Sequence, residues 1–79
     1  MYYVYILRSI SHPEQRYVGL TENVERRLQE HNQGKSSHTK KYLPWRVETV
    51  IGFTEKNKAT TFEKYLKTGS GHAFAYKHF

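Results

Sequence analysis

Apolar and polar positions follow two periods along this chain, and each change of period marks an element. Residues 2–8, YYVYILR, form an unbroken run of aromatic and β-branched side chains, which predicts a strand. Tyr3, Tyr5 and Leu7 share one face of it, and Tyr2, Val4 and Ile6 the other. Residues 9–15, with Pro13, read as a turn, and residues 16–20 as a second strand antiparallel to the first. A loop centred near His12 puts the odd-numbered residues of both strands on one face, which brings Tyr5 close to Tyr17 and Gly19. A glycine inside a strand lets another group approach the backbone closely.

Beyond Gly19 the period becomes helical. Val24, Arg27, Leu28 and His31 stand at i, i+3, i+4 and i+7, on one face of a helix. Thr21 or Asn23 caps its start, Glu22 and Glu25 suit its positive end, and Asn32 and Gly34 stop it. Residues 35–43, KSSHTKKYL, have no period and read either as a phosphate-tracking segment or as a mobile solvated loop. Pro44 and Trp45 lead into a third strand, 46–53, with Trp45 as a core or edge anchor. Asn57 then caps a second helix, 58–68, whose stripe is Ala59, Phe62, Glu63 and Leu66. Gly69 and Gly71 break that helix, and the tail HAFAYKHF closes the fold as a short helix or strand.

Both helical stripes hold residues that a core does not want. Arg27 alone is explained by a stem packed on the core with its head in water, and His31 alone by a satisfied structural histidine. Together they cost desolvation twice, which points to one wall of a site. Glu63 sits within an apolar stripe, and a glutamate is almost never buried unless paired. It is either half of an internal ion pair, with Arg27 for instance, or a carboxylate awaiting a divalent cation.

Composition narrows the partner. Thirteen Lys and Arg against seven acidic residues, all glutamate, give a net charge of +6 on 79 residues. A field of that strength favours a polyanion, and seven tyrosines with one tryptophan offer faces on which bases stack. Without aspartate or cysteine, a metal site has few ligands to choose from and no thiolate at all. No apolar run approaches a membrane span and no signal pattern precedes Tyr2, so one small cytoplasmic domain over 1–79 is the expectation.

The residues singled out carry a resemblance. Tyr3-Val4-Tyr5, Tyr17-Val18-Gly19, Arg27 and His31 on one helix, and Glu63 on a later one resemble the GIY-YIG nuclease superfamily over nearly the whole chain. HNQG followed by Thr39 and Pro44-Trp45, with the KTGSG run at 67–71, is similar to the small stand-alone bacterial members. It also resembles the nuclease domain of the eukaryotic subunit that cuts branched DNA. The resemblance implies an α+β fold, a three-stranded antiparallel sheet flanked by helices. It further implies hydrolysis of DNA phosphodiesters with one Mg²⁺ or Mn²⁺ ion held by Glu63. Arg27 would clamp a phosphate oxygen, Tyr5 or Tyr17 would activate water, and His31 would accept that proton or orient the phenol. Lys35, Thr39, Lys40, Lys41, Arg46 and Lys67 are the candidate nucleic-acid contacts.

Three departures accompany this pattern. Tyr3 stands where the first motif leads with glycine, and Leu20 where several relatives carry lysine. The asparagine that many members place beyond the metal-binding glutamate falls near Ala75, with His72 as a candidate substitute. A metal-dependent endonuclease acting on branched or damaged DNA in repair or recombination is one expectation. A nucleic-acid-binding module of the same fold with little turnover is the other. RNA stands as a third candidate substrate, and the sequence leaves a partner protein and a homodimer both open.

Overall fold

The first strand occupies the middle of the sheet. In the computed structural model, which describes all of Met1–Phe79, β1 (Tyr2–Ser9) lies between β2 (Arg16–Thr21) and β3 (Trp45–Phe53), all antiparallel. That position explains the unbroken apolar run, because a central strand with both faces covered has no polar side. Val4 and Ile6 pack on one face with Ala59, Leu66 and Ala75, while Tyr5 and Leu7 pack on the other with Trp45. The hairpin register pairs Tyr5 with Gly19 and Leu7 with Tyr17, as a loop centred on His12 requires.

Helix α1 (Val24–Asn32) brings Leu28 to the Tyr5 and Leu7 face, while α2 (Lys56–Leu66) and α3 (Gly69–His78) cover the opposite one. The architecture is therefore the expected α+β one. Asn23 is the α1 cap, its Oδ1 accepting from the Arg26 N–H at 3.0 Å. Gly34, at φ +76°, takes the left-handed conformation that ends the helix. No helix is long and apolar enough to cross a membrane.

Three details differ from expectation. Helix α2 starts at Lys56 rather than at 58, with Glu55 as its N-cap, and Asn57 falls inside its first turn. It ends at Leu66 because Thr68 is taken by α3, whose first turn it caps through the Gly71 N–H at 3.1 Å. Gly69 and Gly71 thus begin a helix instead of breaking one, and a Cβ at Gly71 would collide with the Tyr65 carbonyl. The segment after Gly34, read either as phosphate-tracking or as a mobile solvated loop, is packed inward at two positions. Ser36 and Thr39 are buried, a 3₁₀ turn spans Lys40–Tyr42, and Trp45 Nε1 donates to the Thr39 carbonyl at 2.8 Å.

A bulge in β3 builds the far end of the sheet. Ile6 pairs with Thr49 but Leu7 with Val47, which leaves Glu48 as the extra residue. Its carboxylate accepts from Arg8 and lies 3.2 Å from an Arg16 nitrogen. Arg8 and Arg16 are direct cross-strand partners, so without Glu48 two guanidinium groups would oppose each other. Glu48→Ala is expected to lower stability by about 2 kcal/mol, between an exposed and a fully buried pair. Urea unfolding at low salt measures it.

Candidate active site

Four elements carry the five candidate polar groups. Tyr5 comes from β1, Tyr17 from β2, Arg27 and His31 from α1, and Glu63 from α2. The Tyr5 ring leans across β2, which is possible because Gly19 beneath it has no side chain. A methyl group at Gly19 would collide with the Tyr5 hydroxyl itself. Gly19→Ala is therefore expected to cost about 2 kcal/mol of stability by overpacking. Displacing the phenol would also lower any activity at least about a hundredfold. Thermal unfolding and a cleavage assay on the same preparation check both.

At the centre is a buried hydrogen-bond chain. The Tyr5 oxygen lies 3.0 Å from His31 Nε2, and His31 Nδ1 lies 2.7 Å from Thr39 Oγ1. Tyr5 is 2% exposed, and His31 and Thr39 are completely covered. Tyr17 closes the group with its ring centroid 5.0 Å from the imidazole and 6.4 Å from the Tyr5 ring.

Burial pushes the Tyr5 phenol up to about 12; the Arg27 guanidinium pulls against this, and the charges of Tyr17 and Glu63 add to it. The Glu63 charge is thus felt at Tyr5. Burial also holds the His31 imidazole below its usual value, with the Arg27 charge acting in the same direction. Arg27 itself is raised, chiefly by Glu30, whose carboxylate it meets at 2.9 Å.

A histidine depressed in the folded state binds fewer protons there than when unfolded. Stability therefore rises with pH from the folded value up to about 6.5 and is flat above, as far as His31 decides it. Urea midpoints are expected to fall as the pH drops below 6.5, with a shallower slope in His31→Gln.

Glu63 is mostly covered, and its carboxylate pairs with Lys67 at 2.9 Å. Pairing with Arg27, the alternative considered for it, does not occur, because Arg27 belongs to Glu30. The Lys67 partnership was legible as an i, i+4 spacing on one helix. Lys67 Nζ also lies 5.9 Å from the centre of the Tyr17 ring. Beside it, Tyr17, Lys67, Arg16 and His72 line a cavity of about 200 Å³. His72 and Ala75 both line this cavity, His72 from an exposed position and Ala75 from its buried place against the core.

The remaining candidates divide. Lys35, Lys40, Lys41 and Arg46 are exposed and form no ion pair, so their charge is free. Thr39 is a correction: it is fully buried with its hydroxyl on His31, so it offers nothing to a phosphate. No group of three or more His, Cys, Asp or Glu side chains converges anywhere. Any metal here would rest on one carboxylate, the arrangement suited to a hard cation that keeps its waters and shares a phosphate. That Glu63 already holds an ammonium fits this use.

A buried phenol bonded to an imidazole on a small three-stranded α+β scaffold marks this as a candidate catalytic domain. The chain belongs to the GIY-YIG family, whose catalytic-domain model matches residues 1–77. It is 40% identical over 73 residues to a structure-specific endonuclease subunit SLX1 from Debaryomyces hansenii, covering 84% of this chain and 21% of the relative. A SLX1 subunit from Malassezia globosa is 41% identical over 68 residues, covering 80% of this chain and 15% of the relative. The UPF0213 protein YsiG of Lactococcus lactis is 36% identical over 67 residues, covering 84% of this chain and 62% of the relative. The chain thus spans about a fifth or less of the two SLX1 subunits it matches.

Proposed function

We propose that this domain is a divalent-metal-dependent endonuclease that hydrolyses DNA phosphodiesters, with branched DNA as its preferred substrate. The observation that supports this most is the Tyr5–His31 contact, which gives a phenol its own proton acceptor at 3.0 Å. Arg27 then binds a non-bridging phosphate oxygen as charge builds on it. Tyr5, the phenol bonded to an imidazole, activates the attacking water, and Tyr17 bounds the pocket. Glu63 would hold the ion. A bound Mg²⁺ or Mn²⁺ supplies polarisation of the phosphate and stabilisation of the departing 3′-oxygen. Lys35, Lys40, Lys41 and Arg46 attract the backbone, with Lys67 on the other flank, so affinity falls steeply with salt. A preference for particular DNA structures is supported by the name of the SLX1 relatives, structure-specific endonuclease subunit.

One observation favours a second reading, a binding module with little turnover. Lys67 already neutralises Glu63 and sits where a cation would. Incubation of the protein with branched, linear duplex and single-stranded DNA, and with RNA, in Mg²⁺ or Mn²⁺ separates the two. Cleavage of branched DNA ahead of the others, lost in Glu63→Ala, supports the endonuclease. Salt-dependent binding of every substrate without a single cut supports the module.

A further inference from the structure

Thr39 is the most deeply buried residue of its segment. Ser37, His38, Lys40 and Lys41 are exposed, yet Thr39 is completely covered and its hydroxyl meets His31 Nδ1 at 2.7 Å. Its place is fixed from two sides. Trp45 Nε1 donates to the Thr39 carbonyl at 2.8 Å, and the Trp45 backbone is held by the Asn32 side chain. Asn32 is the residue after His31. The imidazole and the hydroxyl are therefore anchored to one another through the backbone as well as through their own contact.

The hydrogens of this buried chain have few places to go. Three must be accommodated: those of the Tyr5 phenol, the neutral imidazole and the Thr39 hydroxyl. With the imidazole proton on Nδ1, each finds an acceptor. Tyr5 donates to Nε2 at 3.0 Å, Nδ1–H to Thr39 Oγ1 at 2.7 Å, and the Thr39 hydroxyl points to the Ser36 carbonyl at 3.5 Å. With the proton on Nε2 instead, Thr39 donates to Nδ1 and Nε2–H to Tyr5. The Tyr5 hydrogen is then left without a protein acceptor, a cost that buried polar groups avoid.

We propose that Thr39 is a positioning residue whose hydroxyl holds His31 in the Nδ1–H tautomer, leaving Nε2 free to take the Tyr5 proton. This rests on the reading of Tyr5 and His31 as catalytic. In the step, the Tyr5 proton passes to Nε2 as the Tyr5 oxygen takes a proton from the attacking water, so the phenol ends neutral and the imidazole becomes imidazolium. The water oxygen bonds to phosphorus as the bond to the 3′-oxygen breaks, and that oxygen leaves and takes its proton from solvent. The net transfer is one proton from water to Nε2, while Nδ1–H stays on Thr39. The segment that carries Lys40 and Lys41 on its surface thus also carries, on its inner side, the group that sets the imidazole.

Two-bond ¹H–¹⁵N correlation spectra of the uniformly labelled protein identify the protonated nitrogen of His31 directly. The expected result is Nδ1–H in the native protein and in Thr39→Ser, and a shift toward Nε2–H in Thr39→Val. Cleavage by Thr39→Val is expected to fall at least about tenfold in kcat with KM little changed, and Thr39→Ser to recover it. A native His31 protonated on Nε2 overturns the proposal without any variant. So does a Thr39→Val protein that folds and keeps either the native tautomer or the native kcat. Should His31→Ala cleave at the native rate, the catalytic reading of His31 itself fails, and the tautomer spectra show that failure to be separate.

Discussion

Glu63→Gln is expected to reduce cleavage about a thousandfold or more while leaving the fold almost untouched. The two effects come apart because of where the carboxylate stands. In the folded chain its partner is Lys67, half exposed and one turn away on the same helix. A pair of that kind contributes only about 0.3–0.5 kcal/mol, so its loss barely moves the unfolding midpoint. No group of three or more metal-ligating side chains exists to take over, and the neighbouring Glu30 carboxylate is held by Arg27. Removal of the charge also takes away one of the smaller influences that hold the Tyr5 phenol up. That small relief cannot compensate, because a phenol without a cation beside the phosphate has little to activate water for. Cleavage rates in Mg²⁺ and a urea titration, made on the same protein, test both halves.

Tyr5→Phe is the second large effect, and here activity and stability fall together. Loss of the hydroxyl proposed to activate water is expected to reduce cleavage by about 10²–10⁴-fold. It also leaves the completely buried His31 Nε2 without its partner, at about 1–3 kcal/mol. DNA binding in Ca²⁺ is expected to stay within about twofold, because the exposed lysines that attract the backbone are elsewhere. Tyr17→Phe makes the informative contrast. Its ring packs edge-on against the imidazole, and a phenylalanine preserves that packing. A loss within about tenfold is expected there. Equal losses from the two substitutions would contradict the assignment of the proton-transfer step to Tyr5.

Much of this arrangement was legible in the residue pattern, for reasons that can be named. A run with no polar face marks a central strand, and β1 is central. The turn length set the hairpin register, so the meeting of Tyr5 with Gly19 could be read before any coordinate. Charged residues inside the stripes of α1 and α2 gave away Arg27, His31 and Glu63, because burial of an ionisable group needs a reason. What failed was local and aperiodic. Thr39 lies in a segment with no period, so nothing distinguished its buried hydroxyl from the exposed one of Ser37. Asn57 has better capping chemistry than Glu55, yet Glu55 begins the helix without a side-chain cap, and local propensity lost to packing. Gly69 and Gly71 look like breakers. At Gly71 the missing side chain is what lets α3 sit on the end of α2.

The proposed cleavage requires Glu63 to receive a cation next to the phenols. Mn²⁺ titration of the ¹⁵N-labelled protein, followed by paramagnetic broadening of its amide and tyrosine ring signals, measures this most directly. The predicted result is broadening centred on Glu63 and Lys67 that extends to Tyr5, Tyr17 and His31 and disappears in Glu63→Gln. Broadening that gathers instead around Glu22 and Glu25, or that leaves both phenols sharp at saturation, would contradict it.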